Sequence, residues 1–123
     1  MSRFIKVLAA GLIALFAIGS LSACAASQPM DMSSVAAVID VRTPAEWATG
    51  HLDGAINIDV QGADFASAVD ALDHTANYVV YCHSGNRAGQ AIELMKGAGF
   101  TGTLTNGGGV VDAAQLTNMK VVQ

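Results

Sequence analysis

The segment that most constrains the fold is residues 78–90, "YVVYCHSGNRAGQ". Tyr78 to Cys82 is rich in Val and Tyr, which predicts a buried strand. Small or polar residues follow, and the apolar spacing from Arg87 to Ala98 predicts a helix. A strand that leads through a short loop into a helix is typical of a parallel α/β sheet, in which ligands bind beyond the carboxyl ends of the strands. Cys82 is therefore expected at the edge where ligands bind.

Predicted strands and helices also alternate along the rest of the chain. Thr43 can cap a short helix that starts at Pro44, because Glu46 completes a capping box and Gly50 can end the helix. We predict a small α/β domain with a parallel sheet of about four strands flanked by helices. The other predicted strands are 36–41, 54–58 and 103–105, and the other predicted helices are 64–72 and 110–116.

The first residues have the pattern of an export signal. Arg3 and Lys6 precede an apolar run at 7–19, and "LSAC" at 21–24 ends the segment with small residues before a cysteine. "LSAC" resembles the lipobox of bacterial lipoproteins, in which the cysteine is diacylated and becomes the new N-terminus. The alternatives are an uncleaved membrane helix and an ordinary signal peptide cut near Ala23 or Ala26.

These motifs predict an exported protein that is held on a bacterial membrane, inner or outer, through lipid on Cys24. Residues 1–23 are then a lipoprotein signal peptide, 24–34 a small, polar tether, and 35–123 the folded domain. Without the signal peptide the chain keeps four Lys plus Arg against ten Asp plus Glu, a formal charge of −6. Because it has no basic cluster, nucleic acid is not an expected partner.

The chain has two cysteines, Cys24 and Cys82. If Cys24 carries lipid, Cys82 is a single thiol in an oxidising compartment, where cysteines usually pair. A reactive role for Cys82 is one explanation for an unpaired thiol in such a compartment. The alternatives are a disulfide between the two cysteines and an inert buried cysteine.

The loop after Cys82 is suited to a reactive sulfur. Ser84 and the flexible Gly85 allow a tight curl that points successive backbone N–H groups at the sulfur, beside the positive end of the following helix. We expect the positive electrostatic potential of these N–H groups and of the helix end, with the charge of Arg87, to favour the thiolate, which is the nucleophilic form of cysteine.

Two segments resemble the rhodanese family. "CHSGNRAG" is similar to the family's active-site loop, in which four residues separate Cys from Arg, and "DVRTPAEWATGHLDGAINI" at 40–58 is similar to its other signature. Together with the gap between them they cover most of the domain. The "NGGG" loop near the C-terminus most resembles the small exported single-domain members, of the phage-shock type.

The resemblance implies sulfur transfer through a persulfide on Cys82. The sulfur comes from thiosulfate or another sulfane donor, sulfite leaves, and the bound sulfur passes to cyanide or a thiol. Arg87 contacts the donor or, as we favour, braces the loop by pairing with a carboxylate. No cofactor is implied, and we expect a monomer. The loop residues implied in substrate binding are His83, Ser84, Gly85, Asn86 and Ala88.

Four residues of the upstream signature are interpreted as structural support for the site. Arg42 is expected to pair with Glu46, Asp40 to support the adjacent turn, and His51 to fix the chain where it enters the next strand. The histidines at 51, 74 and 83 have no metal-ligand spacing, so no metal site is predicted.

Three other functions are compatible with parts of this pattern. Phosphatases and arsenate reductases of the same fold have five residues between Cys and Arg, so the four found here favour sulfur chemistry. A non-catalytic rhodanese-like binding module, tethered to the membrane, usually lacks the loop cysteine. A thiol redox protein would need a partner thiol. Two departures from the family remain: the loop has one fixed positive charge, and no Trp follows the Gly-Gly loop.

Overall fold

The computed structural model describes residues 28–123. The predictions for the signal peptide and for lipid on Cys24 lie outside the described residues.

A parallel sheet of four strands forms the centre of the domain, in the order β3-β1-β4-β5. Helices flank it, so the predicted α/β fold is confirmed. Most strand bounds differ from the predicted ones by one or two residues. The strands of the sheet are β1 (Val35–Asp40), β3 (Ile56–Asn57), β4 (Asn77–Tyr81) and β5 (Leu104–Asn106).

The helices are α1 (Pro44–Thr49), α2 (Phe65–Asp70), α3 (Asn86–Gly97) and α4 (Val110–Thr117). The predicted capping box starts α1: the Glu46 backbone N–H donates to Thr43 Oγ1 at 3.2 Å. Helix α3 starts one residue earlier than predicted, after Gly85 in a left-handed conformation (φ +94°) that favours glycine.

Alternate residues of β4 face opposite sides of the sheet. Tyr78, Val80 and Cys82 belong to the larger buried cluster, which includes Ala88, Ala91 and Met95 of α3. Val79 and Tyr81 belong to a second cluster on the other face, with Ala113 of α4. The cysteine side chain therefore points to the face that α3 covers.

A two-stranded antiparallel sheet was not predicted from the sequence. It pairs β2 (His51–Leu52) with β6 (Val121–Val122). Strands of two residues are too short to show the alternation that identifies a strand. The Leu52 backbone N–H donates to the Tyr81 hydroxyl at 3.0 Å, which attaches this small sheet to the main one.

Two methionines of the predicted tether lie against the domain. Met30 and Met32 pack on the cluster around Tyr81, and the Met30 backbone N–H donates to Leu116 O at 2.8 Å. Close contact with the domain therefore begins within the segment predicted as tether. Among residues 28–123, no helix combines the length and the apolar character that crossing a membrane requires.

Candidate active site

Cys82 follows β4 directly, at the carboxyl edge of the parallel sheet. Its Sγ accepts hydrogen bonds from the backbone N–H groups of Gly85, at 2.9 Å, and Ala88, at 3.4 Å. Ala88 lies in the first turn of α3, so the positive end of a twelve-residue helix is near the sulfur. The predicted arrangement of loop N–H groups around the sulfur is thus present in the structure.

The Cys82 side chain is fully buried, with 0% exposure. The cause is the tight curl itself, because the backbone of Gly85 approaches the sulfur within hydrogen-bonding distance. Side chains of the loop point outward: His83, Ser84 and Asn86 are exposed.

Arg87 braces the loop against α1. Its Nη1 and Nη2 atoms donate to Glu46 Oε1 at 2.8 Å and to Glu46 Oε2 at 2.9 Å. This two-point geometry is the strongest form of an arginine–carboxylate pair. The hydrogen bonds from Arg87 lower the pKa of Glu46 from its ordinary 4.5 to about 2, and the same bonds raise the pKa of Arg87.

Glu46 does not pair with Arg42, so that prediction was wrong. Arg42 turns back to Asp40: Arg42 Nη2 lies 2.6 Å from Asp40 Oδ2, and the Arg42 backbone N–H donates to Asp40 Oδ1 at 2.9 Å. The guanidinium also donates to Gly50 O at 2.6 Å. Burial opposes the charge of Arg42, but the hydrogen bond and charge of Asp40 outweigh it and raise the Arg42 pKa.

The buried Asp40–Arg42 pair supports the turn from β1 into α1, as predicted for Asp40. Their side chains are 0% and 5% exposed, respectively. His51 lies further along the same segment. Its ring stacks on Trp47 with centroids 3.5 Å apart, and its Nδ1 is 3.0 Å from Trp47 O. These contacts place His51 in the packing of α1 against β2 and not beside Cys82.

The "NGGG" loop lies beside the cysteine, a position that was not predicted from the sequence. The Cys82 backbone N–H donates to Gly108 O at 2.9 Å. Asn106, the last residue of β5, donates from Nδ2 to Gly85 O at 3.0 Å. An Asn immediately before three glycines at a strand end is the signal that could have suggested such a role.

The ion pair between Glu46 and Arg87 gives a prediction for stability against pH. Because the pKa of Glu46 is depressed to about 2 in the folded state, its ionised form contributes stability that is fully present above its ordinary value of 4.5. That contribution is lost as pH falls through about 2. We therefore expect the free energy of unfolding in urea to be higher for wild type than for Glu46→Gln. The difference is expected to be constant from about pH 7 to 5 and to disappear between about pH 4.5 and 2.

The control for this measurement is Glu93→Gln. Glu93 also faces a cation, Lys96, but at 3.5 Å and with both side chains largely exposed. We expect Glu93→Gln and wild type to have nearly the same free energy of unfolding at every pH, since exposed ion pairs contribute little to stability. A Glu46→Gln gap that persists unchanged at the lowest pH would contradict the assignment of the ion pair.

Within residues 28–123 no three His, Cys, Asp or Glu side chains are grouped so that they could hold a metal ion. The groups that the structure brings together at the candidate site are a buried sulfur, backbone N–H groups, and arginines paired with carboxylates.

Comparison with known proteins identifies the family. The model of the rhodanese-like domain matches residues 22–114, and the chain belongs to this family. The chain is 37% identical over 76 residues to the thiosulfate sulfurtransferase PspE of Escherichia coli, covering 62% of this chain and 72% of PspE. It is 37% identical over 75 residues to the thiosulfate sulfurtransferase GlpE of Pseudomonas entomophila, covering 60% and 66% of the two chains.

Solved structures agree with the fold. A rhodanese with anions from E. coli is 35% identical and superposes with a TM-score of 0.57, covering 71% of this chain and 96% of that one. The rhodanese-like domain of Alr3790 from Anabaena has a TM-score of 0.60 at 24% identity, covering 71% and 98%. The named relatives support sulfurtransferase activity of the rhodanese type for this chain.

Proposed function

We propose that this protein moves a sulfane sulfur from thiosulfate or a similar donor to cyanide or a thiol acceptor, through a persulfide on Cys82. The observation that carries the proposal is the pair of backbone N–H groups, from Gly85 and Ala88, directed at the Cys82 sulfur. These groups stabilise negative charge on the attacking sulfur and on the persulfide that replaces it.

In the first step the Cys82 thiolate attacks the outer sulfur of thiosulfate. A bond forms between the two sulfurs, and the bond from the outer sulfur to the sulfonate breaks with its electron pair leaving on sulfite. The terminal sulfur of the resulting persulfide carries one negative charge. In the second step cyanide or a thiolate attacks that terminal sulfur, and the electron pair returns to Cys82 as thiolate.

Loop N–H groups are available to bind the donor. The backbone N–H groups of His83, Ser84, Asn86 and Arg87 have no hydrogen-bond acceptor within residues 28–123. The two arginines near the carboxyl edge, Arg42 and Arg87, are already paired with Asp40 and Glu46. We therefore assign donor binding mainly to the backbone of the 83–88 loop and bracing to Arg87, with His83, Ser84 and Asn86 at the entrance.

A thiocyanate assay tests the proposal. The purified protein, given thiosulfate and cyanide, is expected to form thiocyanate well above the uncatalysed rate. The burial of Cys82 requires a second measurement, because the sulfur must become accessible. Neutral iodoacetamide is expected to alkylate Cys82 in the native protein, as the cover is one short loop with exposed side chains. Absence of both thiocyanate and native alkylation would contradict the proposal.

The burial of Cys82 is the observation that favours a second candidate, a non-catalytic rhodanese-like binding module. A module that only binds a partner needs no access to the sulfur. It is expected to resist native alkylation and to accept sulfur from no sulfane donor, so the same two measurements separate the candidates.

We further propose that the protein is exported and anchored through lipid on Cys24. The pattern of residues 1–24 supports this. Labelling of cells with a fatty acid is expected to mark the wild-type protein and not the Cys24→Ala variant; label on neither would contradict the anchor.

A further inference from the structure

Asn106 connects the two loops that flank Cys82. Its Nδ2 donates to Gly85 O at 3.0 Å, and its Oδ1 accepts from the Gly108 backbone N–H at 2.9 Å. We propose that Asn106 is a positioning residue: its amide holds the cysteine loop in the conformation in which the Gly85 N–H points at the sulfur. The expected effect on catalysis rests on the proposed sulfur transfer.

Gly85 needs such support because a glycine has many backbone conformations available. Its left-handed φ of +94° is the one that brings its N–H to 2.9 Å from Cys82 Sγ. Within residues 28–123, the side chains of His83, Ser84 and Asn86 form no hydrogen bond that could hold the loop. Besides the Gly89 N–H of α3, Asn106 is the group that holds Gly85 O.

The other half of the amide acts on the other side of the cysteine. Gly108 also has a left-handed φ, +76°, and its carbonyl accepts the Cys82 backbone N–H at 2.9 Å. Asn106 therefore fixes both the residue that donates to the sulfur and the residue that holds the cysteine backbone. A carboxamide suits this position because it donates and accepts at the same time.

Asn106→Asp is the informative variant. It keeps the shape of the side chain and the acceptor for Gly108, but replaces the donor with an oxygen that repels Gly85 O. The chain offers a matched control in Asn77, at the start of β4 and so at the opposite edge of the sheet. Asn77 Nδ2 donates to Ser34 O at 3.2 Å, and its Oδ1 accepts from the Thr103 N–H at 2.8 Å.

The test combines spectroscopy with kinetics on the ¹⁵N-labelled protein. In Asn106→Asp we expect the Gly85 amide proton to shift upfield and to exchange faster with solvent, because its bond to sulfur is weakened. We expect the rate of sulfur loading from thiosulfate to fall by at least about tenfold: losing roughly one hydrogen bond in the transition state accounts for about that factor, and the new carboxylate charge also repels the anionic donor. Asn77→Asp is expected to change neither, although it removes the equivalent side-chain donor, which bonds to Ser34 O.

An unchanged Gly85 resonance in Asn106→Asp would overturn the inference. So would equal losses of loading in both variants, since that result would reflect a general loss of stability. If the wild-type protein accepts no sulfur, the proposed function fails, and the Gly85 resonance still decides whether Asn106 positions the loop.

Discussion

The Cys82→Ser variant is expected to form thiocyanate from thiosulfate and cyanide no faster than the uncatalysed reaction, a loss of at least about a thousandfold. A serine hydroxyl at this position meets the same N–H groups, from Gly85 and Ala88, but it is far more weakly acidic than a thiol. Within residues 28–123, Cys82 is the only cysteine, so no other thiol of this part of the chain can take its place. Steady-state thiocyanate formation measures the effect.

The fold of the Cys82→Ser variant is expected to be retained, because the substitution changes one atom of a side chain that accepts hydrogen bonds. Urea unfolding monitors this. Thr101→Ala serves as the activity control, since Thr101 is exposed and its hydroxyl donates to His74 O at 3.4 Å. Substantial thiocyanate formation by a folded Cys82→Ser variant would show that another group carries the sulfur.

The largest effect on stability is expected from Asp40→Asn. This change leaves the Arg42 guanidinium, which is 5% exposed, without a counter-charge. Breaking a buried ion pair from one side typically costs about 3–5 kcal/mol, and the retained amide oxygen places the expected loss near the lower figure, about 3 kcal/mol. That is a large part of the stability of a small domain, roughly 5–15 kcal/mol. The free energy of unfolding in urea measures it.

The double variant Asp40→Leu with Arg42→Met is the control for Asp40→Asn. Replacing both members of a buried pair by apolar groups is often close to neutral, because no charge is left without a partner. We expect the double variant to be more stable than Asp40→Asn, although it also loses the hydrogen bond from Arg42 to Gly50 O. If Asp40→Asn unfolds at the same urea concentration as wild type, the pair does not support the turn.

Features set by local sequence could be predicted. The capping box of Thr43 and Glu46 depends on residues three positions apart, and the structure contains it. Position 82, at the end of a Val- and Tyr-rich strand, was placed correctly at the carboxyl edge of the sheet. The bracing of Arg87 by a carboxylate was implied by the resemblance to the rhodanese family, which did not indicate which carboxylate it is.

Features set by tertiary contacts were not predictable in this way. Arg42 and Glu46 are four positions apart, which suggested a pair, but Glu46 lies opposite Arg87, 41 residues along the chain. The burial of Cys82 depends on how closely the Gly85 backbone approaches, and no side-chain pattern reports that distance. Asn106 reaches Gly85 because β5 lies next to β4, an adjacency the sequence does not show.

The persulfide on Cys82 is tested most directly by the intact mass of the purified protein after incubation with thiosulfate and removal of excess donor. We predict a gain of one sulfur atom, located by digestion to the peptide that contains Cys82, lost on addition of cyanide and never formed in Cys82→Ser. An unchanged mass in folded wild-type protein with every sulfane donor tried, or an added sulfur located on another residue, would contradict it.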